Sequence, residues 1–491
     1  MKRRKNGGLG AGPSVVIVGA GIAGLGMAIR LVEAGLSDFV VLERGETLGG
    51  TWRDNAYPGA ACDVPSHLYS YSFAPNPDFS RRYSGQAEIE RYLERVAEQH
   101  DVKRKIRFGA DVTRATFDEP SATWTVELRS GERLVANVVV FATGQLGHPK
   151  VPAFPGASEF RGRKIHSARF PRGYDATGKH VAVIGSGASA IQIVPKLAEQ
   201  ATRLTLFQRT PAYVVPREDR EYGESERRLF RKFPLLLKAY RAAQYLSCEV
   251  RFLALLEGSK PAEILVEMAR KHLEAQVPDP ALRARLTPEY PVGCKRVLIS
   301  DDYYPAVQRP NVELATAPID RFEADGIRTS DGILHRADDV VFATGFDATA
   351  FLAEVEIAGR EGRRLSHAWR DGAEAYLGMT VAGFPNLFVL YGPNTNLGHN
   401  SIIFMLECQT GYVAACLERI RAGSRTIEVR SESMAAFNRD LQAALAKTVW
   451  SGECSSWYKT ASGKITNNWA GPTLTYWWRT RRPDFRAFVE S

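Results

Sequence analysis

Twice along the chain the same succession of apolar and polar positions recurs. "SVVIVGAGIAGLGMAIRLVEAGLSDFVVLERG" opens on an apolar run at 15–18, turns through glycines, continues with apolar residues at helical spacing and closes on a second apolar run at 39–42. "HVAVIGSGASAIQIVPKLAEQATRLTLFQRT" repeats this order from Val181. Short continuous apolar runs predict strands buried on both faces, and the helical period between them predicts a strand–helix–strand unit. Two near copies, "VVVFATGQ" (138–145) and "VVFATGF" (340–346), read as further buried strands, each ending in a small-residue turn. From about 220 to 292 the rhythm breaks. There "ESERRLFRKFPLLLKAYRAAQYLSCEVRFLALLEG" has helical spacing with basic and apolar faces. A helical insertion packed over the site is the commoner use of such a pattern, and a membrane-surface helix is the alternative.

The glycines give these units a chemistry. Gly19, Gly21 and Gly24 in the first loop allow a tight turn, close approach of a diphosphate and close packing of helix on strand; Gly185, Gly187 and Ala190 fill the same places in the second. With a strand before and a helix after, each loop predicts a dinucleotide site. Glu43 and Arg209 stand at equivalent distances beyond their loops. An acid there accepts from a ribose 2′-hydroxyl and repels a 2′-phosphate, whereas an arginine attracts that phosphate. The first site therefore suits FAD or NAD and the second NADP. Ser189 and Gln192, at the start of the second helix, are candidates to bond its phosphates. Two sites in one chain imply electron passage between cofactors, most simply from NADPH to FAD. The expected fold is α/β, with two Rossmann-like, three-layer domains. The FAD-binding domain is expected to be discontinuous, residues 1–147 and 342–491. The NADP-binding domain is expected at 148–341, with the helical insertion at 220–292 inside it.

Composition narrows the class without changing it. The chain has 491 residues, 44% hydrophobic and 24% charged, an ordinary globular balance with room for several domains. Its net charge of +9 suits anionic ligands, and phosphate-bearing cofactors account for it more simply than nucleic acid. The start, "MKRRKNGGLGAGPS", reads as a disordered tail, and no apolar stretch is long enough for a transmembrane helix. The six cysteines are scattered without a CxxC pair and read as reduced thiols of a cytoplasmic enzyme. Pyridine-nucleotide disulfide reductases need a redox cysteine pair soon after the first loop, and Cys62 stands alone there. No metal ion is expected.

"GGTWRDNAYPGAACDVPSHLYSYSF" (49–73) resembles the signature of type I Baeyer–Villiger monooxygenases, matched by Gly49, Gly50, Trp52, Tyr57, Pro58, Gly59 and Asp63. The likeness continues through both loops, "QRTPAYVVPR", "GCKR" and "FATGF". The family's other fingerprint is met in "FRGRKIHSARFP" by Phe160, Gly162, His166 and Pro171, but Phe170 replaces the usual tryptophan. That departure is shared with flavin-containing and N-hydroxylating monooxygenases and leaves sulfur or nitrogen oxygenation as the alternative. The resemblance implies NADPH- and O2-dependent conversion of a ketone to an ester or lactone through a C4a-peroxyflavin. It assigns Arg296 to stabilising the anionic oxygen species, since a guanidinium keeps its charge, and Asp63 to orienting Arg296. It places Gly50, Thr51, Trp52, Asp63, Tyr69, Val112 and Ile402 at FAD, with Trp52 and Tyr69 either on the flavin or in ordinary core. It places Thr210 and Lys295 with Arg209 at the NADP 2′-phosphate. His166 is expected to couple the two domains rather than carry protons, and Phe170→Trp is expected to be mild. The aromatics of "ECSSWY" and "NNWAGPTLTYWW" either line a substrate pocket or cover the sheet.

Overall fold

A computed structural model describes residues 12–454 and 456–491; the tail expected at the start of the chain falls, up to residue 11, outside them. Two five-stranded parallel sheets dominate. In the first, Val15–Val18 lies between Phe39–Leu42 and Val138–Phe141, with Ile106–Arg107 and Leu387–Val389 at the edges. In the second, His180–Ile184 lies between Arg203–Phe207 and Asp339–Phe342, with Val312–Ala315 and Arg163–His166 outermost. All four residues of Val15–Val18, of Val138–Phe141 and of Asp339–Phe342 are buried, as the unbroken apolar runs require of strands covered on both faces. The fold is α/β with two Rossmann-type units. The two "FATG" segments follow strands of different sheets. After Val138–Phe141 the chain enters the second sheet, and after Asp339–Phe342 it returns to the first.

Each "FATG" segment also runs against a glycine loop. Gly19 has φ +107°, and a Cβ there would lie 2.7 Å from the Ala142 carbonyl oxygen; Gly185 has φ +120°, with the Ala343 carbonyl at 2.4 Å. A side chain at either place collides with backbone that cannot yield. The sequence repeat thus has a packing cause.

Four helices, Glu224–Lys232, Pro234–Val250, Lys260–Gln276 and Pro280–Leu286, occupy the stretch where the strand–helix rhythm breaks. A four-stranded sheet (Glu356–Ala358, Val112–Asp118, Thr123–Leu128, Arg133–Ala136) covers one face of the first parallel sheet, with Trp124 at its centre. Val112 belongs to that core. Phe170 is buried edge-on to Tyr174, ring centroids 5.2 Å apart, in the core of the second sheet. A larger ring there needs repacking, which revises the expectation that tryptophan is mild.

The reading of six reduced thiols is corrected. Cys294 and Cys454 form a disulfide, their Cα atoms 6.4 Å apart across a sequence separation of 160, while Cys62, Cys248, Cys408 and Cys416 are free. No local spacing announces a pair that only folding brings together. Unreduced protein unfolded in guanidinium should titrate four thiols with a chromogenic disulfide reagent; six would contradict the bridge.

Candidate functional site

A cleft of about 1640 Å³ lies between the two parallel sheets, and most of the expected site residues line it. On the second-sheet side stand Gly185, Gly187, Ser189, Gln192, Arg209, Thr210 and Lys295. The helix Ala188–Ala198 starts at Gly187 with no side-chain cap, so its first N–H groups remain free for an anion. Ala190, in the first turn of that helix, is fully buried against the core of the second sheet. Gln192 is engaged elsewhere: its Oε1 accepts from Tyr57 Oη at 2.9 Å, and its Nε2 donates to the Ala61 carbonyl at 3.0 Å. Gly59 lies against the same helix, where a Cβ would meet the Gln192 carbonyl at 2.4 Å. The "YPGAA" loop is thereby clamped to the second unit.

Arg209 and Lys295 form no ion pair with any carboxylate among the described residues. Lys295 Nζ sits 4.7 Å over the Tyr290 ring, and burial followed by the nearby Arg209 charge lowers its pKa from the ordinary lysine value. A phosphate dianion placed between them favours the charged lysine. Below the depressed pKa the lysine is already protonated and binds the phosphate fully. Above it, binding must take up a proton, so NADPH affinity falls with rising pH. The Michaelis constant for NADPH is expected to climb on the alkaline side, and Lys295→Arg should flatten that climb; an identical climb in both proteins would rule Lys295 out as its source.

On the first-sheet side, helix Ile22–Glu33 also begins without a side-chain cap, at Gly21. Gly50, at φ +54°, faces Gly21, and a Cβ on it would stand 3.1 Å from the Gly21 Cα. Glu43 is buried and accepts from the Ala20 and Gly45 N–H groups, each at 2.8 Å, and from Arg53 Nη1 at 2.7 Å. A carboxylate has about four acceptor positions, so one remains for a ribose hydroxyl. Arg53 escaped the sequence reading, although it lies inside the "GGTWRD" segment. Thr51 and Trp52 line the cleft, and Trp52 Nε1 donates to Tyr69 Oη at 3.1 Å. Burial raises the Tyr69 pKa well above that of a free phenol, so its hydroxyl keeps a proton to donate. Ile402, the first residue of helix Ile402–Arg421, reaches the cleft wall; Gly19, Gly21, Gly24, Glu43, Gly50 and Val112 lie outside the lining.

Where the two halves meet, Asp63 Oδ2 accepts from Arg296 Nε at 3.0 Å and from Nη2 at 2.5 Å, joining residues 233 apart in sequence. Both side chains are about one-third exposed, into the cleft. Asp63 raises the Arg296 pKa above its already high ordinary value, so the guanidinium stays charged. Two local anchors fix it. Val214–Val215 pairs with Leu298–Ile299 just beyond, and the Cys294–Cys454 bridge holds the segment just before. Arg217 donates to the Cys62 carbonyl at 3.3 Å and steadies the Asp63 loop. Tyr391 and Tyr458 flank Arg296, and Tyr391 Oη donates to Asn396 Oδ1 at 2.7 Å. Their only sequence signal was membership of an Asn/Gly-rich loop and of an aromatic-rich tail. His166 lies outside the cleft lining. Its Nδ1 accepts from the Ala168 N–H and its Nε2 meets the Gly345 carbonyl, each at 3.1 Å, tying the fingerprint strand to the second "FATG" turn.

Two uncapped glycine-loop helices, a buried acid beyond the first loop, an unpaired cationic pair beside the second and a charged arginine between them are the parts of a two-dinucleotide oxidoreductase. Residues 16–223 match the family described as "Pyridine nucleotide-disulphide oxidoreductase". The Baeyer–Villiger monooxygenase of Streptomyces coelicolor is 44% identical over 477 residues, covering 96% of this chain and 92% of its own. The structure of an oxidized steroid monooxygenase bound to NADP superposes with a TM-score of 0.87 at 32% identity, over 97% of this chain and 99% of that one. OTEMO in complex with FAD and NADP superposes with a TM-score of 0.88 at 27% identity, over 98% and 99%. The chain belongs to the type I Baeyer–Villiger monooxygenase family.

Proposed function

We propose that this enzyme is an FAD-containing, NADPH- and O2-dependent Baeyer–Villiger monooxygenase whose reacting centre is organised by Arg296 and Asp63. The observation that carries the reading is their hydrogen-bonded pair at the meeting of the two cofactor loops. The residues present fit both groups: the backbone-crowded glycines Gly19 and Gly185 and the two uncapped helix N-termini accept diphosphates, and Glu43 and Arg209 sort ribose from ribose phosphate. FAD, when bound, accepts hydride from NADPH and activates oxygen. Everything else falls to the chain. Arg209, Thr210 and Lys295 hold the 2′-phosphate end. Thr51, Trp52, Tyr69 and Ile402 bound the flavin end and keep water out. Asp63 aims the Arg296 guanidinium, which offers N–H donors and a fixed positive charge where the ketone oxygen becomes anionic. His166 holds the crossing segments in register through the Gly345 carbonyl.

In this reading residues 1–147 and 342–491 form the FAD unit, 148–341 the NADP unit, and 220–292 its insertion. Use of NADPH supports work in the cytoplasm, and the Cys294–Cys454 bridge is then a disulfide that persists against cytosolic reductants. Product analysis across linear, cyclic, aromatic and steroidal ketones, alongside a thioether panel, tests the assignment. Esters or lactones are expected; sulfoxides without any ester would instead establish the heteroatom-oxygenating alternative.

A further inference from the structure

Helix Pro234–Val250 keeps Arg241, Gln244, Tyr245 and Glu249 half-buried and turns a run of apolar residues to the outside, unlike an ordinary surface helix. Leu237 and Cys248 are buried, and Arg241 on the same side donates to the His67 carbonyl and to Ser70 Oγ. At about 100° per residue, Leu235, Leu236, Ala239, Ala242, Ala243, Leu246 and Val250 share one continuous outer arc. All are exposed, Leu235 at 78%, Leu246 at 57% and Val250 at 64%, and Lys238 and Glu249 border the arc on one side and Ser247 on the other. Helix Thr473–Thr480 docks beside it. Tyr245 Oη meets Thr473 Oγ1 at 2.7 Å, and Glu249 accepts from Thr473 Oγ1 at 2.8 Å and from the Leu474 N–H at 3.1 Å. That helix adds exposed Leu474, Trp477 and Trp478. Contiguous apolar faces of this extent are uncommon on the free surface of a monomer.

The free charges around the face are mostly of one sign; Glu257 is exposed just beyond the helix, and Glu249 on the helix itself is held by Thr473, the Leu474 N–H and Asn400. Arg228, Lys232 and Lys238 are exposed towards one end, and Arg251, Arg479, Arg481 and Arg482 towards the other, none with an ion-pair partner among the described residues. The Arg481 guanidinium lies 3.4 Å from the centre of the Trp478 ring. Other neighbouring acids are taken: Glu224 by Arg227 and Arg231, Glu226 by Arg220, Asp484 by Arg486. A second copy of the chain is a poor occupant, because both ends of the face are basic and a two-fold pairing in either direction sets cations against cations. A surface with an apolar layer beneath a sheet of negative charge complements it in both respects. No helix among the described residues is long and apolar enough to cross a membrane.

We propose that the outer face of Pro234–Val250, extended by Thr473–Thr480, docks this protein on an anionic phospholipid surface. The helix lies in the interface, Leu235, Leu246, Val250 and Trp478 reach the headgroup–acyl boundary, and the rim cations meet lipid phosphates.

Sedimentation of the full-length holoenzyme with vesicles tests this. The protein should co-sediment with phosphatidylcholine–phosphatidylserine vesicles, much less with pure phosphatidylcholine, and leave the former as salt rises. Leu246→Glu with Val250→Glu should abolish co-sedimentation. The milder Lys232→Gln and Arg481→Gln, which leave the apolar face whole, should each weaken it about fivefold. All should retain flavin absorbance and wild-type NADPH oxidation with a water-soluble ketone. Failure to bind phosphatidylserine vesicles, or equal binding by the double variant, overturns the proposal. So does a wild-type dimer in sedimentation velocity that the double variant converts to monomer, since the face then belongs to a second copy.

Discussion

Arg296→Ala is expected to lower ester formation by about 10²–10³-fold while NADPH oxidation continues. The guanidinium is held by Asp63 through two N–H donors and faces the cleft, so its removal takes away both the fixed charge and the donors nearest the reacting centre. The substitution leaves both glycine loops, the proposed nucleotide-binding elements, intact, so hydride delivery is expected to continue. Electrons should then reach oxygen without its insertion, and hydrogen peroxide should replace ester in the products. Asp63→Ala attacks the same unit from the other side. It strands a charged arginine in a partly dry site, at a cost of about 3–5 kcal/mol in a fully buried pair and less here, where a third of each side chain meets solvent. A stable, flavin-loaded Arg296→Ala enzyme that still makes ester at the wild-type rate would remove Arg296 from the mechanism. Product chromatography beside an oxygen-electrode trace separates these outcomes.

The second large effect concerns the choice between NADPH and NADH. Arg209→Ala combined with Lys295→Ala removes two unpaired cations from the second-sheet end of the cleft and leaves Lys150 in its lining. A hydrogen bond to a charged group contributes about 1.5–3 kcal/mol, so losing two should raise KM for NADPH by about 100-fold or more, with kcat nearly unchanged. KM for NADH should stay where it was, since no phosphate meets those residues in that cofactor. Steady-state kinetics with both nucleotides provide the measurement. A parallel rise for NADH would mean that the pair supports the fold of the cleft rather than the phosphate.

These expectations differ in how far they could be read without a structure. The glycine loops, the buried strands and the contrast of Glu43 with Arg209 were all legible. Each rests on period and spacing within a few dozen residues, and steric demands such as that of the Gly19 carbonyl on Gly24 act at that range. Asp63 and Arg296 were named from two separate segments whose likeness to the family carried the pairing; no spacing rule spans 233 residues. Arg53 was missed because nothing local says that its side chain returns to Glu43, and Gln192 was read towards phosphate although its amide is committed to Tyr57 and Ala61. The basic-apolar helical stretch was legible as amphipathic. Which side would face outward was not.

By itself, then, the sequence determined two glycine loops, the strands that carry them and the contrast of an acid with an arginine beyond them, because hydrophobic period and loop spacing are properties of neighbouring residues. The tertiary structure decided which distant groups meet: the Cys294–Cys454 bridge, the Asp63–Arg296 pair, the clamp of "YPGAA" on the second unit and the outward apolar face of Pro234–Val250. Those contacts arise only when the chain crosses between its two sheets and back, and the closure of that path is set by the packing of the whole molecule rather than by any stretch of it.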